Sequence, residues 1–271
     1  MAATKIITAD SGKNGLNPGK VWQYRSLLYS FTVRDIKVQY AQTKLGILWS
    51  MIQAATAAFI IHLFFGLMLK INIPGVPYII YAFPGMAAWY YFSYIVSSSG
   101  TSLMQSQHII KKIYFPKLIL PLYKTVAGLV EFLVWFVVFI FILIIYRHPL
   151  SINTLWLPLA IFLNIVTGLS IAIWLSALTI RFRDAFHIIP YLIGFGVFVT
   201  PVFFETAMIP ASLHFLIFFN PMAGVIAFYR WCLLGMGFPV QYLWGLVPVF
   251  ILFISGLYYF RRVEGIIADV I

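Results

Sequence analysis

Long stretches of this chain carry no charged residue at all: 45–69, 71–110, 148–180, 185–204 and 231–260. Another, 132–146, continues an apolar run that begins before Glu131. A bilayer hydrocarbon core of about 30 Å is crossed by a helix of about 20 apolar residues. Strict ten-residue alternation, the mark of a membrane strand, is absent, so helices are the spanning elements. The pattern predicts an all-α polytopic membrane protein with six transmembrane helices. They fall at about 45–69, 78–103, around Glu131, 155–180, 185–204 and 240–260. The fifth is interrupted by Pro190, Gly194, Gly196 and Pro201, breakers tolerated where neighbours satisfy the freed backbone groups.

The flanks read differently. Residues 1–17 have the polar, small-residue composition of a mobile tail, and residues 18–44 form an interface region. There Tyr24, Leu27, Leu28 and Phe31 recur at i, i+3, i+4 and i+7, which predicts an amphipathic helix lying in the membrane surface, a short helix packed on protein being the alternative. Residues 45–260 make one six-span membrane domain and 261–271 a C-terminal tail. Between spans 5 and 6 the apolar pieces are too short to cross twice. Asn220 and Pro221 suit the N-cap and first turn of a helix, so re-entrant half-helices on the outside are predicted.

Charge gives the orientation. The chain has 18 basic and 7 acidic residues, a net charge of +11, and 62 % apolar residues. With an internal N-terminus, the outside holds only Lys70, Arg147 and Arg230, while every other Lys and Arg falls inside. This asymmetry and anionic lipid heads account for the basic total, so nucleic acid is not indicated as a partner and membrane lipids are. The single Cys232 cannot form an internal disulfide, and the five histidines are scattered without metal-ligand spacing. Gly12-Lys13-Asn14 lacks the first glycine and the Ser or Thr of a phosphate loop, so no ATP site is expected on this chain.

Few residues in the spans carry chemistry. Tyr90, Tyr94, Ser97 and Thr101 share one face at 100° per residue, which suits helix packing or a hydrophilic pathway. Glu131 is the one carboxylate well inside an apolar run. It shares a face with Lys124 and Gly128, about two turns from the basic segment, and reads as a structural ion pair near the interface ahead of a proton relay.

Several segments together resemble one family. They are FTVRDIKVQYAQTKLGILWSMIQ (Phe31 to Gln53), IIKKIYFPKLILPL (Ile109 to Leu122), LSALTIRFRDAFHIIPYLI (Leu175 to Ile193), TPVFF (Thr200 to Phe204) and NPMAGVIAFYRWCLLG (Asn220 to Gly235). In order and spacing they are similar to the membrane subunits of ABC-type polysaccharide exporters, the type-2 permeases, with a leaning toward the lipopolysaccharide O-antigen branch. Ala54 and Ala227 depart from that pattern, where proline and an acidic residue are common.

The resemblance implies a homodimer in the bacterial inner membrane, with both termini cytoplasmic, joined to two copies of a cytoplasmic ABC ATPase that holds ATP and Mg. Its substrate would be a polysaccharide on undecaprenyl diphosphate. Capsule or teichoic-acid export is the alternative within the family, and a membrane-embedded transferase the alternative outside it. No catalytic residue and no metal are assigned. The segment Lys111, Lys112, Ile113, Tyr114, Phe115 and Pro116 would dock on the ATPase. Arg34, Lys37 and Lys44 are candidates for the lipid diphosphate, Tyr90, Tyr94, Ser97 and Thr101 for the glycan pathway, and Asn220, Pro221, Tyr229 and Arg230 for an outer gate.

Overall fold

A computed structural model describes residues 18–41, 44–182 and 184–265. The 1–17 tail with Lys5 and Lys13, the Gly12-Lys13-Asn14 fragment, Arg183 and the last six residues of the C-terminal tail lie outside the described residues. The described residues are helical apart from turns, with one isolated antiparallel bridge, Ile73 to Val76, closing a turn in which Gly75 takes φ +77°.

Two helices begin the described residues, α1 (Pro18–Gln23) and α2 (Arg25–Ala41). Five helices are long and apolar enough to cross a membrane: α3 (Leu48–Met68), α4 (Tyr78–Ser99), α5 (Ile119–Ile145), α6 (Ile152–Arg181) and, last in the chain, Val240–Glu264. Between them lie α7 (Ala185–Val199), then α8 (Ala211–Phe219) and α9 (Pro221–Leu234), which meet at 90°. Val240–Glu264 is therefore α10. At 15 residues α7 is shorter than the 185–204 span that the apolar run suggests. Thr200 leaves the helical conformation (ψ 137°), because Pro201 disfavours α geometry in the residue before it.

The most buried long helix is α4, with an unbroken buried run from Tyr78 to Ala88. Others pack on it or on each other where side chains are small. The buried positions of α3 are Ser50, Ala54 and Ala58, one stripe four residues apart, which lets its backbone approach α5. Asn164 of α6, fully buried, donates to the Ala88 carbonyl of α4 at 3.1 Å. Farther along α6, Trp174 stacks on Tyr259 of α10 at 4.7 Å and donates to Ser255 at 3.0 Å.

The amphipathic helix needs a correction. The face with Tyr24, Leu27, Leu28 and Phe31 is turned to the chain's own core, and Phe31 meets Phe115 and Tyr123 edge-on at 5.9 and 5.4 Å. Trp22 and Tyr29, about 70 % exposed, are the aromatic residues left outside. Protein packing takes this apolar stripe because the basic segment before α5 supplies a buried ring for it.

Gly168 tests the closeness of α4 and α6. A Cβ there would come within 2.8 Å of the Ile95 side chain. Gly168→Leu should cost about 1–3 kcal/mol, as overpacking does, seen as a lower thermal unfolding midpoint in detergent. An unchanged midpoint would show that the two helices have room to part.

Candidate functional site

Chemistry gathers in three places. At the basic end, Arg34, Lys37 and Lys44 are all exposed at the surface. The Arg34 guanidinium lies over the Phe31 ring at 5.2 Å and 3.3 Å from the Asp35 carboxylate. In the nearby segment Lys111, Lys112, Ile113 and Tyr114 are exposed, whereas Phe115 is 1 % exposed and Pro116 half-buried. Phe115 is therefore an internal anchor, filling a pocket against Phe31. That corrects its reading as an anchor for a partner and leaves Tyr114 as the available ring. Lys117 follows, its ammonium 4.6 Å over the Phe115 ring and its backbone N–H donating to Glu264 Oε1 of α10 at 2.9 Å. Burial holds the Lys117 ammonium below the ordinary lysine range, and the Glu264 carboxylate opposes that shift.

The second place joins α2, α4 and α5. Lys124 pairs with Asp35 at 2.5 Å and not with Glu131, contrary to the shared-face reading. Glu131 accepts from the Gln39 amide on one oxygen and from the Tyr90 hydroxyl on the other, at 2.6 Å. The Tyr90 ring stacks on Trp135 at 4.6 Å, and Tyr94 lies against Gly128, where a Cβ would overlap its ring. The hydroxyls of Ser97 and Thr101 donate back to the carbonyls of Ser93 and Ser97, both at 2.8 Å. Between them Ile95–Ser99 is π-helical, one residue more per turn, which breaks the single-face alignment, and Thr101 is buried. Tyr90 and Tyr94 thus come together against α5, while Ser97 and Thr101 do not join them. Asp35 and Gln39 escaped sequence reasoning. Their one-turn spacing on α2 was the available signal, and it is ordinary for a solvated helix face.

The third place is at the far end. After α7 the chain turns through Pro201 to Phe204, and all four carbonyls are taken by side chains. Arg230 donates to Pro201 at 2.9 Å and Val202 at 2.7 Å, Tyr78 to Phe203 at 2.7 Å, and Tyr81 to Phe204 at 3.0 Å. Arg230 also donates to the Tyr81 carbonyl at 3.2 Å, with its guanidinium 3.8 Å over that ring. Asn220 reaches Thr200 Oγ1 at 2.9 Å and caps α9 through Met222 N–H at 3.0 Å, with Pro221 in the first turn. Asn220 and Arg230 therefore converge on the same break. Tyr229 points elsewhere, buried against Phe132 at 6.0 Å. Beside the joint an apolar groove of about 500 Å³ opens between α4, α6 and α7, lined by Trp89, Phe92, Leu175, Ile189 and Leu192. Among the described residues no three His, Cys, Asp or Glu side chains come together as a metal site.

A family model described as "ABC-2 type transporter" matches residues 26–234, from the start of α2 to the end of α9. This chain belongs to the ABC-2 type transporter family. It is similar to an O-antigen export system permease protein, RfbA, of Klebsiella pneumoniae, 28 % identical over 247 residues, which is 90 % of this chain and 95 % of that one. A second Klebsiella pneumoniae RfbA is 29 % identical over 75 % of this chain and 78 % of its own length. An RfbA of Myxococcus xanthus is 25 % identical over 78 % and 81 %.

All three places of this ABC-2 type transporter chain lie inside the matched region, except Glu264 beyond it. With five long apolar helices, the chain is a multi-pass membrane protein. The far-end joint is then a break in helical structure in which Pro201 and Val202 are buried, so protein donors serve their carbonyls.

Arg230→Gln shortens the side chain and cannot reach three carbonyls at once. Leaving buried acceptors unpaired costs about 1–3 kcal/mol each, so a loss of about 3 kcal/mol is expected. Thermal unfolding of the purified chain measures it. Arg230→Lys should recover only part, since one ammonium lacks the planar fork.

Proposed function

We propose that this chain is the membrane subunit of an ATP-driven exporter that moves an undecaprenyl-diphosphate-linked polysaccharide of O-antigen type across the bacterial inner membrane. The observation that carries this reading is similarity to O-antigen export permeases along nearly the whole chain. On this reading two copies form the pathway. Each contacts a cytoplasmic ABC ATPase that binds ATP and Mg, and the termini are cytoplasmic. Charge placement supports the orientation, because most exposed basic residues, among them Arg34, Lys37, Lys44, Lys111 and Lys112, gather at one end of the helices, against Lys70 and Arg147 at the other.

The roles follow from exposure and chemistry. Lys111, Lys112, Ile113 and Tyr114 form the docking segment. Their ammonium groups favour encounter with an acidic partner surface, and the Tyr114 ring supplies apolar area on contact. Arg34, Lys37 and Lys44 meet the diphosphate while the prenyl chain stays in lipid. Tyr90 and Tyr94, each keeping a partly exposed edge, are the glycan contacts of this proposal. At the far end the joint held by Arg230 and Asn220 is the fixed side of an outer gate.

Export is tested by deleting the chain and following lipid-linked polymer, which should accumulate inside the cell and clear on complementation; no accumulation sinks the reading. Orientation is tested in a Cys232→Ser background, where Asn72→Cys should react with an impermeant thiol reagent applied outside and Lys112→Cys should not. Labelling of position 112 in intact cells would invert the topology.

Docking predicts a separate outcome. Tyr114→Ala should release the ATPase during purification or uncouple hydrolysis from export, whereas Phe115→Ala should first lower stability, by about 3–5 kcal/mol, because that ring is in the core. Full retention of the ATPase and unchanged coupling by the Tyr114 variant would remove the segment from the interface.

A further inference from the structure

Glu131 is 7 % exposed and is the one carboxylate in the interior of the five long apolar helices. Burying it is costly, and an apolar side chain could hold the same helices together without that cost. Its two oxygens serve different helices, one taking Gln39 of α2 and the other Tyr90 of α4. One turn earlier on α2, Asp35 takes Lys124 of α5, with both side chains more than four-fifths buried. One turn earlier again, Phe31 sits between Phe115 and Tyr123. Three successive turns of α2 are thus tied to the chain. The first tie is to the ring that follows the exposed Lys111–Tyr114 segment, and the last is to a carboxylate that also holds α4.

We infer that Asp35, Lys124 and Glu131 are positioning residues for transport: they bind α2 and the Lys111–Phe115 segment into one unit, and Glu131 passes the position of that unit to α4 through Tyr90. This rests on the exporter reading. Apolar contacts allow a helix to slide with little change in energy, whereas directional bonds to a buried carboxylate are either made or broken. Displacing α2 strips Gln39 from Glu131 and leaves a buried oxygen without a donor. The carboxylate then turns with α2, drawing the Tyr90 hydroxyl along, or stays with Tyr90 and resists the displacement. Either response carries motion at the basic end into the central helix. Tyr90 has little freedom to absorb it, stacked as it is on Trp135.

Charge exchange gives the test. Asp35→Lys and Lys124→Asp each place like charges together, and the double variant restores an opposite pair. Glu131→Met keeps a side chain of similar length but has neither acceptor oxygen, so it loses both the α2 and the α4 bond; it serves if the single charge variants fail to insert. Two readouts are taken in the complex with its ATPase, in a Cys232→Ser background. The first is the distance between spin labels on Val38→Cys and Val126→Cys, both exposed, which reports α2 against α5 whatever the chain transports. The second is lipid-linked polymer moved per ATP hydrolysed in proteoliposomes.

The single charge variants, and Glu131→Met likewise, should broaden the distance and lower polymer moved per ATP by about three- to thirtyfold with hydrolysis retained. The double variant should restore both. Unchanged polymer per ATP in the variants, or a double variant that restores the distance without restoring transport, overturns the inference. If the wild-type complex moves no lipid-linked polymer, the exporter reading fails instead, and the spin-label distances still decide whether these residues hold α2.

Discussion

Inside an apolar bundle every backbone break and every charge needs a partner from the chain itself, since neither water nor lipid supplies one. Two places in this protein depend on that constraint, and both are tied to α4. Near one end Tyr90 satisfies Glu131, and near the other the ring and carbonyl of Tyr81 receive Arg230. Nine positions of α4 separate the two tyrosines, about 13 Å of helix. A buried anion and a buried cation are therefore held by one helix that is itself enclosed on nearly every side. The remaining elements are arranged around that fact: α5 and α2 close over the carboxylate, and α9 and the turn after α7 close over the guanidinium.

The two sites differ in what they hold still. Arg230 binds carbonyls, which belong to backbone and move only if a segment moves, so it fixes the path of the chain from Pro201 to Phe204. Glu131 binds side-chain donors, an amide and a phenol, each on its own helix. One arrangement is a clamp on a loop and the other a joint between helices. Charge-assisted bonds serve in both because they are strong and directional where the surroundings are poorly polarisable.

Most of the span pattern was legible in the sequence, because an uncharged apolar run longer than a bilayer is thick finds its most favourable surroundings in lipid. Partners were much less so. Lys124 and Glu131 share a face seven residues apart, which suggested each other, yet Asp35 of α2 takes the lysine. That choice depends on how α2 lies across α5, and nothing local in either helix encodes a crossing. Phe115 stood beside Tyr114 in a basic segment with the same apparent chance of exposure; only the position of Phe31 decides that one ring is inside and its neighbour outside. The π-helical turn at Ile95–Ser99 has no residue signature, so the stripe from Tyr90 to Thr101 was drawn on a period that the helix abandons. Arg230 was singled out by resemblance, but its partners are main-chain oxygens, which every residue carries.

The shortness of α7 bears on the membrane around it. Fifteen helical residues rise about 22 Å, against a hydrocarbon layer of about 30 Å. Tyr191, Phe195 and Phe198 are about 70 % exposed along it, so its outer surface asks for apolar surroundings over less than a full bilayer thickness. Lipid meeting that surface must compress or tilt its chains to match, at a cost of fractions of a kcal/mol per Å. Where lipid covers α7, the hydrocarbon layer beside it is thus thinned, and a thinner layer is a lower barrier to anything hydrophilic that has to cross beside this helix.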